Sequence, residues 1–318
     1  MSGAGGIPFH DADAIAAALS PADAVDALEA ALRGGLDPEA DPPRGVVGAD
    51  AGEVLVMPSS APGAVGVKLV TVAPDNPARG RPRIQGVYVL FDAETLAPAA
   101  LLDGIGLTNL RTAAVSALAV RHLAAPDARR LLVFGTGAQA WAHVGALRAL
   151  IPGIERVDVA ARDQGRLEAF VARCAREHGV DARVAATDAI ADADLVVCAT
   201  TAREPLFHGA RVGDGATVVA IGSHEPAARE VDERLAGRAT VVVESRSSAL
   251  REAGDVIAAV DAGALDPDAL VPLAALVRGE ARAADGAPRL FKSTGMAWED
   301  LVVAAAVHAR SRAAEAAP

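Results

Sequence analysis

Residues 131–147, LLVFGTGAQAWAHVGAL, constrain this chain more than any other stretch: an apolar strand runs into a glycine turn and straight out into an alanine-rich helix. Strand, tight turn and helix in that order open a βαβ unit. The turn, Gly135-Thr136-Gly137-Ala138-Gln139-Ala140, has the spacing GxGxxA. Gly135 permits the sharp reversal, Gly137 lets backbone approach a pyrophosphate with no side chain between them, and Ala140 lets helix and strand pack closely. The helix then begins with N–H groups that no residue of the helix accepts, a ready site for phosphate oxygens. The nearby Gly104-Ile105-Gly106 lacks this context, because no strand-turn-helix surrounds it.

The surrounding rhythm agrees. From Arg129 onward, apolar runs (RLLVFG, RVDVAA, ARVAA, ADLVVCAT, ATVVAIG, ATVVVES) alternate with helical stretches, which predicts a parallel sheet covered on both faces. Before it, residues 46–102 read as short β-branched runs broken by Pro, Gly and Asp, an antiparallel meander. Residues 11–33 predict two helices, divided by an N-cap Ser20 and a first-turn Pro21; a proline-rich link, residues 37–44, follows. After Thr108 the chain reads as helical, with Arg111 at that helix's start. Residues 295–317 predict an amphipathic helix returning to the first domain. The fold class is therefore α/β: a Rossmann-type doubly wound parallel sheet plus an α+β domain with a mainly antiparallel sheet.

Aromatic residues are only 3% of the 318, so both cores must be filled by Ala, Val, Leu and Ile. Thirty Lys and Arg against 41 Asp and Glu leave a formal charge of −11, which argues against a nucleic-acid partner. Cys174 and Cys198 form no CxxC pair and no disulfide framework, as expected of a reducing interior. No basic leader followed by an apolar stretch opens the sequence and no long apolar window occurs, so the expectation is a soluble cytoplasmic protein with no membrane partner.

Cofactor choice rests on the end of the second parallel strand, Val157-Asp158-Val159-Ala160-Ala161-Arg162-Asp163. An acidic residue there suits the ribose 2′-OH of NAD, and an Arg the 2′-phosphate of NADP. Arg162 favours NADP(H) over NAD(H), with Asp163 and Asp158 as the residues that would reverse that preference. A substrate partner is then needed, and Arg44, Lys68 and Arg111 are cations placed to hold a small anion. Lys68, inside GVKLVTV, either points to solvent or projects into a site. Arg111-Thr112 at a helix start is electrostatically unfavourable unless an anion joins it, as a carboxylate gripped bidentately would.

Taken together, MPSS at 57–60, KLVT at 68–71, LLDGIGLTNLRTAAVSALA at 101–119, FGTGAQA at 134–140, IGSHEPAAREVD at 221–232, EAGD at 252–255 and FKSTGMAWEDL at 291–301 resemble the ornithine cyclodeaminase and μ-crystallin family of NAD(P)-dependent oxidoreductases. The resemblance runs from about Arg44 to about Ala309 and is closer to the ketimine reductases of the μ-crystallin type. It implies a substrate-binding and dimerisation domain from residues 1–117 and 293–318, whose sheet pairs with a second subunit's in a homodimer, and an NAD(P)-binding domain from 118–292. It implies that Arg44, Lys68 and Arg111 bind the substrate carboxylate and that Lys68 also serves the reacting nitrogen. Thr112, Ser293 and Gly295 would line the cofactor or the cleft. Two positions depart from the cyclodeaminase pattern: His224 stands where that enzyme has an aspartate, and Leu55 where it has a glutamate for a distal amine. A buried ammonium without a carboxylate is costly, so cyclisation of ornithine is disfavoured.

The expected reaction is NAD(P)H-dependent reduction of a small cyclic ketimine, such as Δ1-pyrroline-2-carboxylate or Δ1-piperideine-2-carboxylate, to the L-amino acid. Lys68 and His224 are the candidate catalytic residues, His224 either as a general acid or as a residue that packs or binds cofactor. Alternatives are an alanine-dehydrogenase-like enzyme, an ornithine cyclodeaminase, and a non-catalytic NADPH or small-ligand binder. His10, His122, His143, His178, His208 and His308 read as solvated or satisfied side chains. No metal-ligand spacing and no GxSxG elbow is present.

Overall fold

The computed structural model describes residues 6–316, so residues 1–5 and 317–318, at the ends of the expected first domain, lie outside the described residues. In chain order its elements are β1 (Phe9–His10), α1 (Ala12–Ala18), α2 (Pro21–Arg33), β2 (Gly45–Ala49), β3 (Gly52–Ala61), β4 (Ala64–Val72), β5 (Ile84–Asp92), β6 (Pro98–Asp103) and α3 (Gly104–Leu123). There follow β7 (Arg130–Phe134), α4 (Ala138–Leu150), β8 (Arg156–Ala160), α5 (Gln164–His178), β9 (Asp181–Val184), β10 (Leu195–Cys198), β11 (Thr217–Ala220), α6 (Glu233–Arg238) and β12 (Thr240–Val243). The last are α7 (Arg246–Glu252), α8 (Gly254–Asp261), β13 (Val271–Pro272), α9 (Leu273–Arg278), β14 (Arg289–Lys292) and α10 (Ala297–Ala316). Two compact units result, one from the described parts of Met1–Thr112 and Met296–Pro318, the other from Ala113–Gly295.

The first unit is a six-stranded sheet in the order β1-β6-β5-β4-β3-β2, antiparallel except for the short β1–β6 pair. Asp11 and Ser20 cap α1 and α2 through their side chains, as short polar residues before a helix do. One sheet face is covered by α10, which also packs on α2; Val25, Leu28 and Leu32 of α2 and Trp298, Leu301 and Val307 of α10 are buried. The opposite face carries its own apolar rows, with Leu69 between Val56 and Val87, and Val67 between Pro58 and Val89. Leu69 is 38% exposed there. At the sheet edge, Val46 and Val47 of β2 are likewise exposed.

Arg111 is not at a helix start. The helix α3 begins at Gly104, with the Asp103 carboxylate accepting the Gly106 N–H at 2.6 Å, and Arg111 lies two turns in. Gly104 and Gly106 serve close packing: a Cβ on Gly104 would run into the backbone of Gly86, and one on Gly106 would press on Ala12. So far from the helix start, Arg111 does not face the positive end of the helix dipole and needs no anion on that account.

The second unit is an eight-stranded parallel sheet, ordered β13-β12-β14-β11-β10-β7-β8-β9. All six expected strands are present. Sequence reading missed β13 and β14, and β14 is central, hydrogen-bonded between β11 and β12; its four residues, RLFK, are too short and too charged to show a strand period. The sheet buries Val196, Val218, Val243 and Leu290 against Leu235, Val256 and Leu270. Among the described residues no helix is long and apolar enough to cross a membrane.

Candidate active site

In the second unit, β7 delivers the chain into the glycine turn. Gly135 adopts φ +112°, and a Cβ there would collide with the carbonyl oxygen of Ala199, so both backbone conformation and close approach demand glycine. Gly137 stands at the N-cap of α4 without a side-chain capping bond, and a Cβ there would meet nothing within 4 Å. What Gly137 provides is therefore open space above the first helical N–H groups, those of Ala138, Gln139 and Ala140. Ala140 itself is fully buried against the strand, and Thr136 is half-buried in the turn. These features fit the diphosphate of a dinucleotide.

One turn along α4, His143 is buried between the Gln139 carbonyl (2.7 Å from Nδ1) and the Ser116 hydroxyl (2.9 Å from Nε2). Burial pushes its pKa down to about 4. The neutral ring donates from Nδ1 and accepts at Nε2, a structural assignment that leaves it no proton to trade near neutrality.

At the end of β8 the side chains sort by what already engages them. Asp158 is buried and paired with Arg156 at 2.8 Å. Asp163 caps α5, accepting the Arg166 N–H at 3.0 Å. Arg162, between the strand and that cap, is exposed. Beyond β14, Ser293 and Gly295 are drawn to a residue that sequence reading did not single out, Glu244. Its carboxylate accepts from the Ser293 hydroxyl at 2.6 Å and from the N–H groups of Thr294 (2.9 Å) and Gly295 (3.1 Å). Gly295 takes φ +76° to make that bend. His224 follows β11, half-buried.

The first unit holds the cations. Lys68 does not point to solvent: it shares the covered face of β4 with Gly66, Val70 and Val72 and is 2% exposed. Alternation could not reveal this, because both faces of β4 are apolar. Its Nζ lies 2.7 Å from Oδ2 of Asp300 and 3.5 Å from the Thr108 hydroxyl. The other oxygen of Asp300 accepts from Nε of Arg111 at 3.1 Å, while Nη1 of Arg111 donates to Glu299 at 2.6 Å. Two cations and two carboxylates are thus held out of water in one array, where an unmatched charge would be expensive. Burial is the largest influence on Lys68 and the neighbouring Arg111 charge the next; against the opposing pull of Asp300, they bring its pKa down to about 8.

Glu299 and Asp300 also escaped sequence reading as site residues. The signal was two consecutive acids in the first turn of a helix whose other residues there, Ala297, Trp298 and Leu301, are apolar and buried. The proline-rich link has a matching role: Asp41 accepts the Trp298 N–H at 2.6 Å and the Ser59 hydroxyl at 2.6 Å, capping α10 from outside the helix. Burial raises the Asp41 pKa. Three residues further on, Arg44 enters β2 half-buried. Tyr88, the cross-strand neighbour of Lys68, is fully buried, and its hydroxyl and that of Thr112 have no hydrogen-bond partner among the described residues. Leu55 lies in an apolar cluster with Met57, Val70, Val72 and Ala297, so no carboxylate stands at that position for a distal ammonium.

Comparison with known proteins places the chain in a family. A Δ1-pyrroline-2-carboxylate reductase of Bacillus thuringiensis subsp. konkukian (strain 97-27) is 37% identical over 258 residues, 79% of this chain and 79% of its own. A Δ1-pyrroline-2-carboxylate/Δ1-piperideine-2-carboxylate reductase of Azospirillum brasilense is 38% identical over 264 residues, 82% of this chain and 81% of its own. The solved structure of a Thermococcus litoralis Δ1-pyrroline-2-carboxylate reductase in complex with NADH and L-proline superposes with a TM-score of 0.90 at 27% identity, covering 97% of this chain and 98% of that one. The model of the ornithine cyclodeaminase/mu-crystallin family matches residues 9–315, and the chain belongs to that family.

Proposed function

We propose that the chain is an NAD(P)H-dependent oxidoreductase that reduces the C=N bond of a small cyclic imino acid, Δ1-pyrroline-2-carboxylate or Δ1-piperideine-2-carboxylate, to the L-amino acid. The observation that carries this reading is the buried array of Lys68, Asp300, Arg111 and Glu299. A fold that only needed stability would fill such a position with apolar side chains; a carboxylate-bearing substrate needs cations there. The relatives named above act on such imino acids, and the apolar setting of Leu55 supports a reductase over a cyclising deaminase.

When bound, a reduced nicotinamide supplies the hydride that joins the imine carbon. The chain's own residues do the rest. Arg44, Lys68 and Arg111 hold the substrate carboxylate, the guanidinium groups offering forked donors that fix its plane; holding it fixes the orientation of the ring and lowers the entropic part of the barrier. Lys68 holds a proton at Nζ and donates it, or a hydrogen bond, to the imine nitrogen. A lysine with pKa about 8 gives up a proton near neutrality far more readily than one in water. Asp300 keeps Nζ aimed and balances its charge. His224 is kept as a second candidate acid in the segment after β11.

The cofactor reading favours NADP(H) over NAD(H), supported by exposed Arg162 beside an aspartate already engaged as a helix cap. Residues 1–117 with 293–318 are assigned the substrate role and 118–292 the nucleotide role, with Thr112, Ser293 and Gly295 at the cofactor or substrate. The apolar outer face of the antiparallel sheet supports a homodimer in which a second copy covers it.

The test is loss of the reduced cofactor's absorbance with each cyclic imine and, separately, with pyruvate plus ammonia. Turnover of the cyclic imines is expected. Turnover with pyruvate and ammonia alone would make the chain an amino-acid dehydrogenase, and tight cofactor binding with no turnover on either would make it a binding protein.

A further inference from the structure

In an open parallel sheet, ligands lie beyond the carboxyl ends of the strands where the strand order reverses. Here the order reverses at β7, with β8 and β9 on one side and β10 and β11 on the other. If the adenosine half of a dinucleotide lies over β8, where Arg162 stands, the other half extends over the segments that leave β10 and β11. The first of those segments, Ala199-Thr200, presses against the phosphate turn, where a Cβ on Gly135 would meet Ala199 and the Thr200 methyl; the second, Ile221-Gly222-Ser223, packs on the first, Gly222 lying against the Thr200 carbonyl.

One buried carboxylate ties both segments together. Oε1 of Glu230 accepts from the Thr200 N–H at 2.8 Å and the Thr200 hydroxyl at 2.7 Å, and Oε2 accepts from the Gly222 N–H at 2.7 Å. Glu230 is itself held from behind, its N–H and that of Val231 donating to one oxygen of Asp255 at 2.6 and 2.9 Å. The other oxygen of Asp255 pairs with Lys292 at 2.9 Å, and Lys292 donates to the Ser223 carbonyl at 2.7 Å. The chain Glu230-Asp255-Lys292-Ser223 closes on itself through Gly222. A Cβ on Gly222 would strike both the Thr200 carbonyl and the Glu230 carboxylate, so the segments are packed as closely as backbone permits.

Short loops beyond the ends of strands can satisfy their N–H groups with water; a fully buried carboxylate is a costly substitute unless the loop positions matter. We propose that Glu230 is a positioning residue for the nicotinamide half of the cofactor, setting the height of Thr200 and Gly222 beneath it. The proposal rests on the reading that the chain binds a nicotinamide dinucleotide, and it acts through loop backbone rather than by contact with the reacting atoms.

The experiment compares dissociation constants of NADPH and of 2′-phospho-ADP-ribose, which stops short of the nicotinamide, for the wild-type protein and for Glu230→Gln. The amide keeps the volume but turns an N–H group toward one of its three donors. Losing one charge-assisted hydrogen bond of this kind weakens NADPH by about tenfold or more while leaving the fragment within about twofold. Equal weakening of both ligands, or of neither, overturns the proposal. Should Glu230→Gln fail to fold, Thr200→Val, which removes only the hydroxyl donor, is expected to weaken NADPH selectively to a smaller degree, and no selectivity there counts against the proposal equally. Every readout is a binding constant. A wild-type protein that binds both ligands and reduces no imine would therefore sink the function proposed above without touching this inference, whereas one that binds NADPH no better than the fragment overturns it.

Discussion

Asp300 pairs with Lys68 at 2.7 Å with both side chains closed to solvent, and its second oxygen reaches Arg111. A strand of the meander and the first turn of the final helix are thereby joined by charge rather than by packing alone. Replacing Asp300 by Asn keeps the shape and removes the charge, leaving two buried cations with one carboxylate. The expected loss is about 3–5 kcal/mol of unfolding free energy, read from denaturant melts; a loss below about 1 kcal/mol would mean that the array is wetter than its burial implies.

The lowered pKa of Lys68 makes opposite predictions for activity and stability. Because the folded-state pKa of about 8 lies below the unfolded value of 10.5, the unfolded chain binds more protons between those values, so stability rises with pH across that window and the penalty is fully present below it. In the proposed role of proton donor Lys68 works only while protonated, so kcat/KM for the imine is expected to fall as pH rises through about 8. Lys68→Ala is expected to lower turnover by about 10²–10⁴-fold with cofactor affinity unchanged. Equal losses of both would remove Lys68 from the substrate side.

Arg162→Ala tests the cofactor preference. Removing a guanidinium from a 2′-phosphate costs about 1.5–3 kcal/mol, or roughly tenfold to a hundredfold in affinity for NADPH, with NADH unaffected. Parallel changes for the two cofactors would show that Arg162 only solvates the start of α5.

Leu69→Glu places a charge in the middle of the apolar outer rows of the sheet, beside Val56 and Val87. Light scattering is expected to show a dimer for the wild-type chain and a monomer for the variant, since burying an unpaired carboxylate at an interface is unfavourable by several kcal/mol. A wild-type monomer would leave that face without a second copy.

Much of this architecture was legible before any coordinates. The glycine turn announced itself because conformation, close approach and helix start all demand particular residues at fixed spacing. The meander showed as β-branched runs between turn residues. Charged residues buried in pairs are harder: Lys68 with Asp300 and Lys292 with Asp255 are closed to solvent, but a single acid or base reads as solvent-facing until its partner is found, and these partners come from distant segments. Arg111 is legible as a cation, but its place two turns into α3 is not, because Gly104 and Gly106 have low helix propensity and stand in the first turn of that helix for close packing.

The place of β14 between β11 and β12 has a further consequence. The strand that completes the parallel sheet is followed, after a link of four residues, by the helix that covers the antiparallel one. During synthesis, both cores must wait with open apolar surfaces until residues 289–316 have been made, and neither can close by growing outward from the amino end. Such late, long-range closure is slow and exposes aggregation-prone intermediates, so premature termination anywhere upstream of Arg289 would strand two unfinished halves rather than spare one.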